Sequence, residues 1–461
     1  MSNDALATRD DDALATRVET PPDGRTVVLG LGVASKAVVR ALRARDFDVT
    51  AIEDRPDDLT REFAAEVGAT LVEAPGPEAL AATLEGAAAF IPSPGVPESH
   101  PAFAIVSNAG IRTLSEFDLA RFWDARPIAA ITGTDGKTSV TLLTVAMLNA
   151  SGVCTAAVGN TDVPLIEAID DPSFDAFVVE ASSFRLGHSE RFSPVAAAWL
   201  NFSPDHLDVH SSLERYELAK ASIWAHLPAD GRVVAPVNDP VVSRHVPVGS
   251  NVTTVGLTAG GGATAFVEDG ELHLDGIHLG PVSQLPRTFD HDITNTLVAA
   301  ALALHLGATA EGIKSAIATH ELPPHRIQHV ATIEDVAYFN DSKATVPHAV
   351  LTAVRSFPSV VLIAGGKNKD LDLSELGEIS DLTRAVVAMG DAADEVAAAF
   401  DETPVHHATD MADAIKRATD LAQPGDTVLL SPGCASFDAY PNYKARGDDF
   451  IRVVNDLVEK L

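Results

Sequence analysis

Ile128-Ala-Ala-Ile-Thr-Gly-Thr-Asp-Gly-Lys-Thr138 begins as an apolar run of strand type, breaks at Gly133-Thr-Asp-Gly136 and passes at Lys137 into a helical pattern. Strand, glycine turn and helix in that order build a phosphate cradle. Glycines at 133 and 136 let the backbone turn tightly and aim N–H groups at phosphate oxygens, while the helix N-terminus adds its dipole. Lys137 then reaches the terminal phosphates, and the Thr138 hydroxyl suits a magnesium ion. The residue five before Gly136 is Ile131 rather than glycine, so the loop is a shortened variant of the common Walker pattern. On these residues alone, a plain glycine turn before a surface helix is the competing reading.

Upstream, Val27-Val-Leu-Gly30-Leu-Gly32 reads as a buried strand ending in a glycine turn, residues 34–45 as a helix and Val49-Thr-Ala-Ile52 as a second strand. This is the opening of a Rossmann-like unit. Glu53 follows at the distance where such folds contact a ribose or base, but Ser35 stands where a dinucleotide fingerprint has its third glycine. A second loop, Ile91-Pro-Ser93-Pro-Gly95-Val-Pro97, follows an apolar strand and is expected at the same sheet edge. An oxidoreductase reading rests on Gly30-x-Gly32 alone.

Downstream, residues 127–323 alternate helical and strand patterns, with Ala259-Gly-Gly-Gly262 and Asp269-Gly270 marking a small β excursion. Beyond Pro324, β-like runs at 360–364, 385–389 and 427–430 alternate with helical segments. The expected fold class is α/β in three domains. A Rossmann-like domain spans 23–124, a central P-loop-type ATPase domain with a mainly parallel sheet spans 125–323, and a second Rossmann-like domain spans 324–461. Residues 1–22 carry a tandem repeat, Asp4-Ala-Leu-Ala-Thr-Arg9 and Asp12-Ala-Leu-Ala-Thr-Arg17, without the basic-then-apolar order of a signal peptide, and read as a mobile tail.

Composition bounds the function classes. At roughly 150 residues per domain, 461 residues suit about three domains. The formal charge of −32 opposes binding to nucleic acid or anionic lipid, because a polyanionic surface gains no counterion-release energy there. Nucleotide binding depends on local lysines and backbone amides and is not opposed. The acidity suits a salty cytoplasm, and equally an ordinary, strongly soluble surface. No apolar run approaches the ~20 residues of a membrane span. Cys154 and Cys434 cannot form a disulfide framework in so long a chain, which fits a reducing cytoplasm.

A phosphate cradle needs a metal and further polar groups, and several loops after strands supply candidates. Glu180 ends the apolar strand Val178-Val-Glu180 and is well placed for magnesium. Ala196-Ala-Ala-Trp-Leu-Asn201-Phe-Ser-Pro-Asp205-His206-Leu-Asp208 repeats the arrangement, and by spacing alone His206 reads equally as a ligand and as an ordinary histidine. Lys220, in the helical run of residues 213–226, reads by residue type as a solvated helix lysine. His325-Arg326, Asn340-Asp341-Ser342-Lys343-Ala-Thr345, Gly365-Gly366-Lys367-Asn368-Lys369 and Ser431-Pro-Gly-Cys-Ala-Ser436 likewise follow strands or a domain junction. Ligands in open α/β folds bind at the carboxyl ends of strands, so these loops are expected to share a cleft.

Taken together, Gly133 to Thr138, Glu180-Ala-Ser-Ser-Phe184, Leu200 to Asp208, Pro324-His-Arg326, Asn340 to Thr345 and Ser431 to Gly447 resemble the Mur ligase family, from about Thr26 to the end of the chain. Phe184, Asn340 to Thr345 and Ser436-Phe-Asp438 resemble its glutamate-adding branch. The resemblance implies a monomeric, cytoplasmic enzyme of peptidoglycan synthesis that hydrolyses ATP to join D-glutamate to UDP-N-acetylmuramoyl-L-alanine through an acyl phosphate.

Residue by residue, the resemblance implies that Gly30, Gly32, Ser35, Glu53, Ser93 and Gly95 hold the UDP of the acceptor, with Asn160 near the acceptor. It implies that Gly133, Thr134, Asp135, Gly136, Lys137, Thr138, Asn295, Arg326 and Asp341 bind ATP. Two Mg²⁺ ions are implied, held by Thr138, Glu180, His206 and Lys220, with Lys220 N-carbamylated and so an oxygen ligand. By the same resemblance, Lys137, His206, Lys220 and Lys343 are implied to carry the catalysis, and Thr345, Lys369, Ser436 and Tyr443 to grip glutamate.

The chain departs from the family pattern at Asp135 for asparagine, Asp162 for glycine, Arg185 for glutamine and Asp292 for asparagine. Alternatives are an L-glutamate-adding variant, a folylpolyglutamate-type synthetase, which usually lacks a UDP-binding first domain, and a catalytically silent homologue. The presence of Lys137, Glu180, His206, Lys220 and Lys343 counts against silence.

Overall fold

A computed structural model describes residues 21–206, 209–369 and 371–459. The repeat-bearing stretch to Arg17 therefore lies outside the described residues. The chain divides into two compact units, Met1–His320 and Glu321–Leu461. The first holds two sheets and the second one.

The first sheet contains β1 (Thr26–Leu29), β2 (Val49–Glu53), β3 (Thr70–Glu73), β4 (Ala89–Pro92) and β5 (Arg112–Thr113), in the order β3-β2-β1-β4-β5, all parallel. Every residue of β1 is buried, because a central parallel strand is covered on both faces by helices; its unbroken Thr-Val-Val-Leu run is the consequence. The strand order reverses between β1 and β4, and such a reversal opens a crevice at the strands' carboxyl ends. The helix Val33–Arg43 follows β1 and stops two residues short of the expected 45, with Asp46 at φ +62° turning the chain toward β2.

The second sheet contains β6 (Ile128–Thr132), β7 (Thr155–Gly159), β8 (Ala176–Glu180), β9 (Ala196–Trp199), β10 (Arg232–Pro236), β11 (Asn251–Val255), β12 (Ala265–Glu268), β13 (Glu271–Leu274) and β14 (Ile277–Pro281). Its order is β14-β13-β12-β11-β10-β9-β6-β8-β7, parallel up to an antiparallel meander β12-β13-β14. The meander is the excursion that Gly260–Gly262 and Asp269-Gly270 announce. β6 lies between β8 and β9, so the loops after all three open at one edge. The helices Lys137–Ala150 and Asp290–His305 pack on this sheet, the second with Leu297 to Ala303 buried. Among the described residues no helix is long and apolar enough to cross a membrane.

The sheet of the second unit contains β15 (Gln328–Ile333), β16 (Val336–Asn340), β17 (Val360–Gly365), β18 (Thr383–Met389), β19 (Val405–Ala408) and β20 (Thr427–Leu430), in the order β15-β16-β20-β17-β18-β19. Only β15 runs antiparallel to its neighbour. The loops after β16, β20 and β17 therefore emerge side by side.

Candidate active site

The loop after β6 is shaped by groups that approach it closely. Gly133 has φ +157° and Gly136 has φ +81°; a Cβ at Gly136 would stand 2.9 Å from the Asn295 Oδ1. Asn201, two residues beyond the end of β9, accepts from the Thr134 and Asp135 N–H groups at 2.9 Å each and donates to the Asp135 carbonyl at 3.3 Å. Its amide thus holds the loop from below.

Two lysines converge on one carbonyl. Lys137 Nζ donates to the Gly133 and Thr134 carbonyls at 2.8 Å each, and Lys220 Nζ donates to the Gly133 carbonyl at 2.7 Å. Lys220 is only 2% exposed and sits 4.5 Å from the centre of the Tyr216 ring. Burial, reinforced by the neighbouring Lys137 charge, drives its pKa well below that of an ordinary lysine. The solvated-lysine reading of Lys220 is therefore wrong. Tyr216, Ala219 and Lys220 form the buried face of the helix Leu213–Ala221, which tightens after Ala221 into a 3₁₀ turn at Ser222–Trp224.

Glu180 ends β8 one strand away, in register with Ile131. Its Oε1 accepts from Asn160 Nδ2 at 2.9 Å, while its Oε2 is buried without a hydrogen-bond partner. His206 has φ +57°, is T-stacked on Phe184 at 4.7 Å and lies 3.2 Å from the Asp205 carboxylate. Leu207 and Asp208 of the same motif lie outside the described residues. Asp292, three residues before Asn295, is taken by Arg287 through bonds of 2.6 and 2.7 Å.

At the first sheet's crevice, a Cβ at Gly30 would meet the Ser93 Cβ at 2.9 Å, and Ser93 Oγ lies 3.3 Å from where Gly32 would carry one. The two loops expected at this edge do meet there. Glu53 Oε2 accepts from the Leu31 N–H at 2.7 Å and Oε1 from the Arg55 N–H at 3.1 Å, so its carboxylate also shapes the turn. Ser35 is buried on the helix, and the space around Gly95 is open. A cleft links Ala34, Ser35 and Pro94 with Glu116, Phe184 and Arg185.

In the second unit, Asp341 is fixed by the Ile327 N–H at 3.1 Å and the Ser431 hydroxyl at 2.8 Å, joining the loop that carries Arg326 to those after β16 and β20. Lys343 Nζ lies 5.1 Å from the Tyr443 ring centre and Lys369 Nζ 5.8 Å from that of Phe437. Ser436 is buried and Thr345 half-buried. Arg446, buried at the start of the last helix, donates to the Ser342, Cys434 and Ala435 carbonyls and so ties these loops together.

Comparison with known proteins agrees with this arrangement. The Mur ligase middle domain matches residues 131–303, and the Mur ligase glutamate ligase domain matches residues 325–434. UDP-N-acetylmuramoylalanine--D-glutamate ligase of Thermobifida fusca is 36% identical, covering 94% of this chain and 98% of its own. The chain belongs to the Mur ligase family. The same-named protein of Desulfosudis oleivorans is 38% identical, covering 94% of this chain and 97% of its own. MurF of Acinetobacter baumannii superposes with a TM-score of 0.59 at 18% identity, covering 93% of each chain. The oxidoreductase reading of Gly30-x-Gly32 falls with this membership.

Among the described residues of this Mur ligase, no three His, Cys, Asp or Glu side chains form a metal-holding group. Mg²⁺ takes oxygen ligands and is commonly held by one or two protein oxygens together with substrate phosphates. The buried, unpartnered Glu180 Oε2 fits that role, as does the Thr138 hydroxyl on the first turn of its helix. Sequence reasoning assigned no role to Asn201, Tyr216, Glu116 or Arg446. Asn201 had a signal, its place just after a strand inside a quoted motif, and Arg446 lies in the quoted stretch Ser431 to Gly447; Glu116 and Tyr216 act through partners distant in sequence, Arg185 and Thr134.

Proposed function

We propose that this Mur ligase joins D-glutamate to UDP-N-acetylmuramoyl-L-alanine at the expense of ATP, in peptidoglycan synthesis, as a cytoplasmic monomer. The names of its relatives support the substrates. The observation that carries the chemistry is the buried, pKa-depressed amine of Lys220 on the Gly133 carbonyl of a phosphate loop. An unprotonated amine is the form that adds carbon dioxide, and a carbamate would turn a cation into an oxygen ligand.

A carboxylate is a poor acyl donor at neutral pH. The alanyl carboxylate oxygen attacks the γ-phosphorus of ATP, ADP leaves, and an acyl phosphate results. The glutamate amine then attacks the acyl carbon and expels phosphate, and the nitrogen loses a proton as the amide forms. Bound Mg²⁺ supplies charge neutralisation on the phosphates. Lys137, released from the Gly133 and Thr134 carbonyls, follows the γ-phosphate, with the loop amides holding its oxygens. Thr138, Glu180, His206 and Lys220, the last once carbamylated, would hold Mg²⁺ at two positions. Gly30, Gly32, Ser35, Glu53, Ser93 and Gly95 serve UDP, with Asn160 beside the acceptor. Asn295, Arg326 and Asp341 hold the nucleotide, Lys343 adds charge at the phosphoryl, and Thr345, Lys369, Ser436 and Tyr443 hold glutamate.

The deciding experiment measures phosphate release from ATP with Mg²⁺ and UDP-N-acetylmuramoyl-L-alanine, with D-glutamate, L-glutamate or no amino acid, and weighs the product. Release that requires D-glutamate is expected. Dependence on L-glutamate would assign the other stereochemistry, and silence in all three would refute the proposed acceptor.

A further inference from the structure

Glu116 and Arg185 form an ion pair, Oε1 to Nε 2.6 Å, with residue exposures of only 4% and 7%. The reaction as drawn gives neither of them a role. Burying two charges is costly, and a pair kept in so dry a place invites a reason beyond stability. Glu116 Oε1 and Arg185 Nε meet as charges rather than as an aligned hydrogen bond, and each residue sits on a regular element. Glu116 opens the helix Glu116–Trp123, entered through a capping box of Ser115 and Asp118, and Arg185 lies in the single turn Ser183–Leu186 that follows β8.

From Arg185 the contacts lead outward. Arg185 Nη1 donates to Asn160 Oδ1 at 3.0 Å, and Asn160 Nδ2 donates to Glu180 Oε1 at 2.9 Å. The backbone of Asn160 is pinned as well, since its N–H donates to the Glu180 carbonyl at 2.8 Å. A primary amide has one accepting end and one donating end. A guanidinium can only donate, so it claims the oxygen and leaves the NH₂ for Glu180. With the amide reversed, Oδ1 would face the Glu180 carboxylate and Nδ2 the guanidinium, both repulsive. Glu180 Oε1 thereby takes a hydrogen bond, and Oε2 is left buried and unpartnered.

We infer that Arg185 is a positioning residue for Glu180: anchored by Glu116, it fixes the Asn160 amide so that Glu180 presents its unpartnered Oε2 to the metal. The inference rests on the proposal that Glu180 is a magnesium ligand. It also gives the departure from glutamine at position 185 a physical content, because arginine removes the choice of amide orientation that a glutamine, able to donate or accept, would leave open.

The test measures Mn²⁺ binding to the ADP complex of the full chain by the EPR signal of free Mn²⁺, with no acceptor or amino acid present. Glu116→Gln/Arg185→Gln keeps a donor without buried charge; Glu116→Gln/Arg185→Leu removes both; Asn160→Leu breaks the same link at an exposed position without touching the pair. Loss of an outer-shell partner costs about 10–100-fold in metal affinity, so the leucine variants are expected to weaken Mn²⁺ at least about tenfold and the glutamine variant less than about threefold. Turnover by Glu116→Gln/Arg185→Leu should recover at raised Mg²⁺ with little change in KM for the acceptor, whereas Asn160→Leu, which lies beside the acceptor, is read by its Mn²⁺ affinity alone. Unchanged Mn²⁺ affinity in Asn160→Leu and in Glu116→Gln/Arg185→Leu overturns the inference. So does a raised acceptor KM at normal Mn²⁺ affinity in Glu116→Gln/Arg185→Leu, which would make Arg185 a direct acceptor contact. Wild-type protein that binds Mn²⁺ with ADP but shows no glutamate-dependent turnover would sink the proposed reaction and leave the relay standing.

Discussion

At the scale of single residues, Lys137 and Lys220 share the Gly133 carbonyl yet should fail differently when removed. Lys137→Ala loses the mobile charge that follows the phosphoryl group and should abolish ATP turnover, as phosphate release would report. Lys220→Ala loses an oxygen ligand formed from the amine and should lose most activity, but added short carboxylates should restore part of it. Activity unchanged in Lys220→Ala would refute the carbamate. Gly136→Ala tests the loop itself: with φ +81° and a Cβ 2.9 Å from Asn295 Oδ1, it should destabilise by more than about 1 kcal/mol and weaken nucleotide binding. A thermal melt and an ADP titration check both effects. The location of Lys137 could be read from the glycine spacing; that of Lys220 could not. Leu213 and Leu218 of its helix are 39% and 42% exposed while Lys220 is buried, so the leucines mark the wrong face.

At the scale of elements, the loop after β4 is latched to the segment before the helix Leu213–Ala221. The Glu98 N–H donates to the Val209 carbonyl, and the Glu98 carboxylate accepts from Ser211 Oγ at 2.7 Å and contacts His210 Nδ1 at 3.0 Å, with Arg215 3.6 Å away. Burial pushes the Glu98 carboxyl up, but the Ser211 and His210 hydrogen bonds outweigh it and bring its pKa from 4.5 down to about 2. A carboxyl with a depressed folded pKa adds stability that is present above its unfolded pKa and is lost as pH falls through the folded one. Wild type should therefore melt higher than Glu98→Gln above about pH 5, and the gap should close between 4.5 and about 2. A gap independent of pH would mean that charge has no part in the latch. Strands such as Val360–Gly365 and Thr427–Leu430 were legible because a mostly aliphatic run has a glycine at its end or close behind it, Gly365 in the first and Gly433 after the second. The latch and the Glu116–Arg185–Asn160–Glu180 chain were not, because their partners lie 112 residues apart for Glu98 and His210, and 25 and 20 for the bonds through Asn160. Pairings of that kind leave no period in the sequence.

At the scale of the whole molecule, 65 acidic side chains face 33 lysines and arginines. Even if every cation found a carboxylate, a large excess of anions would remain, and their mutual repulsion opposes the compact state. Salt acts on both the repulsion and the ion pairs. Exposed pairs such as Arg61 with Asp58 and Arg452 with Asp456 are worth at most about 1 kcal/mol each and lose part of that on screening. The repulsion is summed over many more charges at longer distances, and it is the long-range part that screening removes first, as the Debye length falls from about 30 Å at 0.01 M to about 3 Å at 1 M. Repulsion should therefore dominate the response. The melting temperature is expected to rise from low to molar KCl, by about 2–4 °C for each kcal/mol gained in domains of 150–250 residues. Sucrose, which stabilises by exclusion from the surface without screening, provides the control. A rise in KCl that sucrose does not reproduce in shape, steep at low ionic strength and flattening near molar, would identify charge repulsion as the cause. A melting temperature that stays flat in KCl would remove the salt-adaptation reading of the acidic surface and leave its acidity as a device for solubility alone.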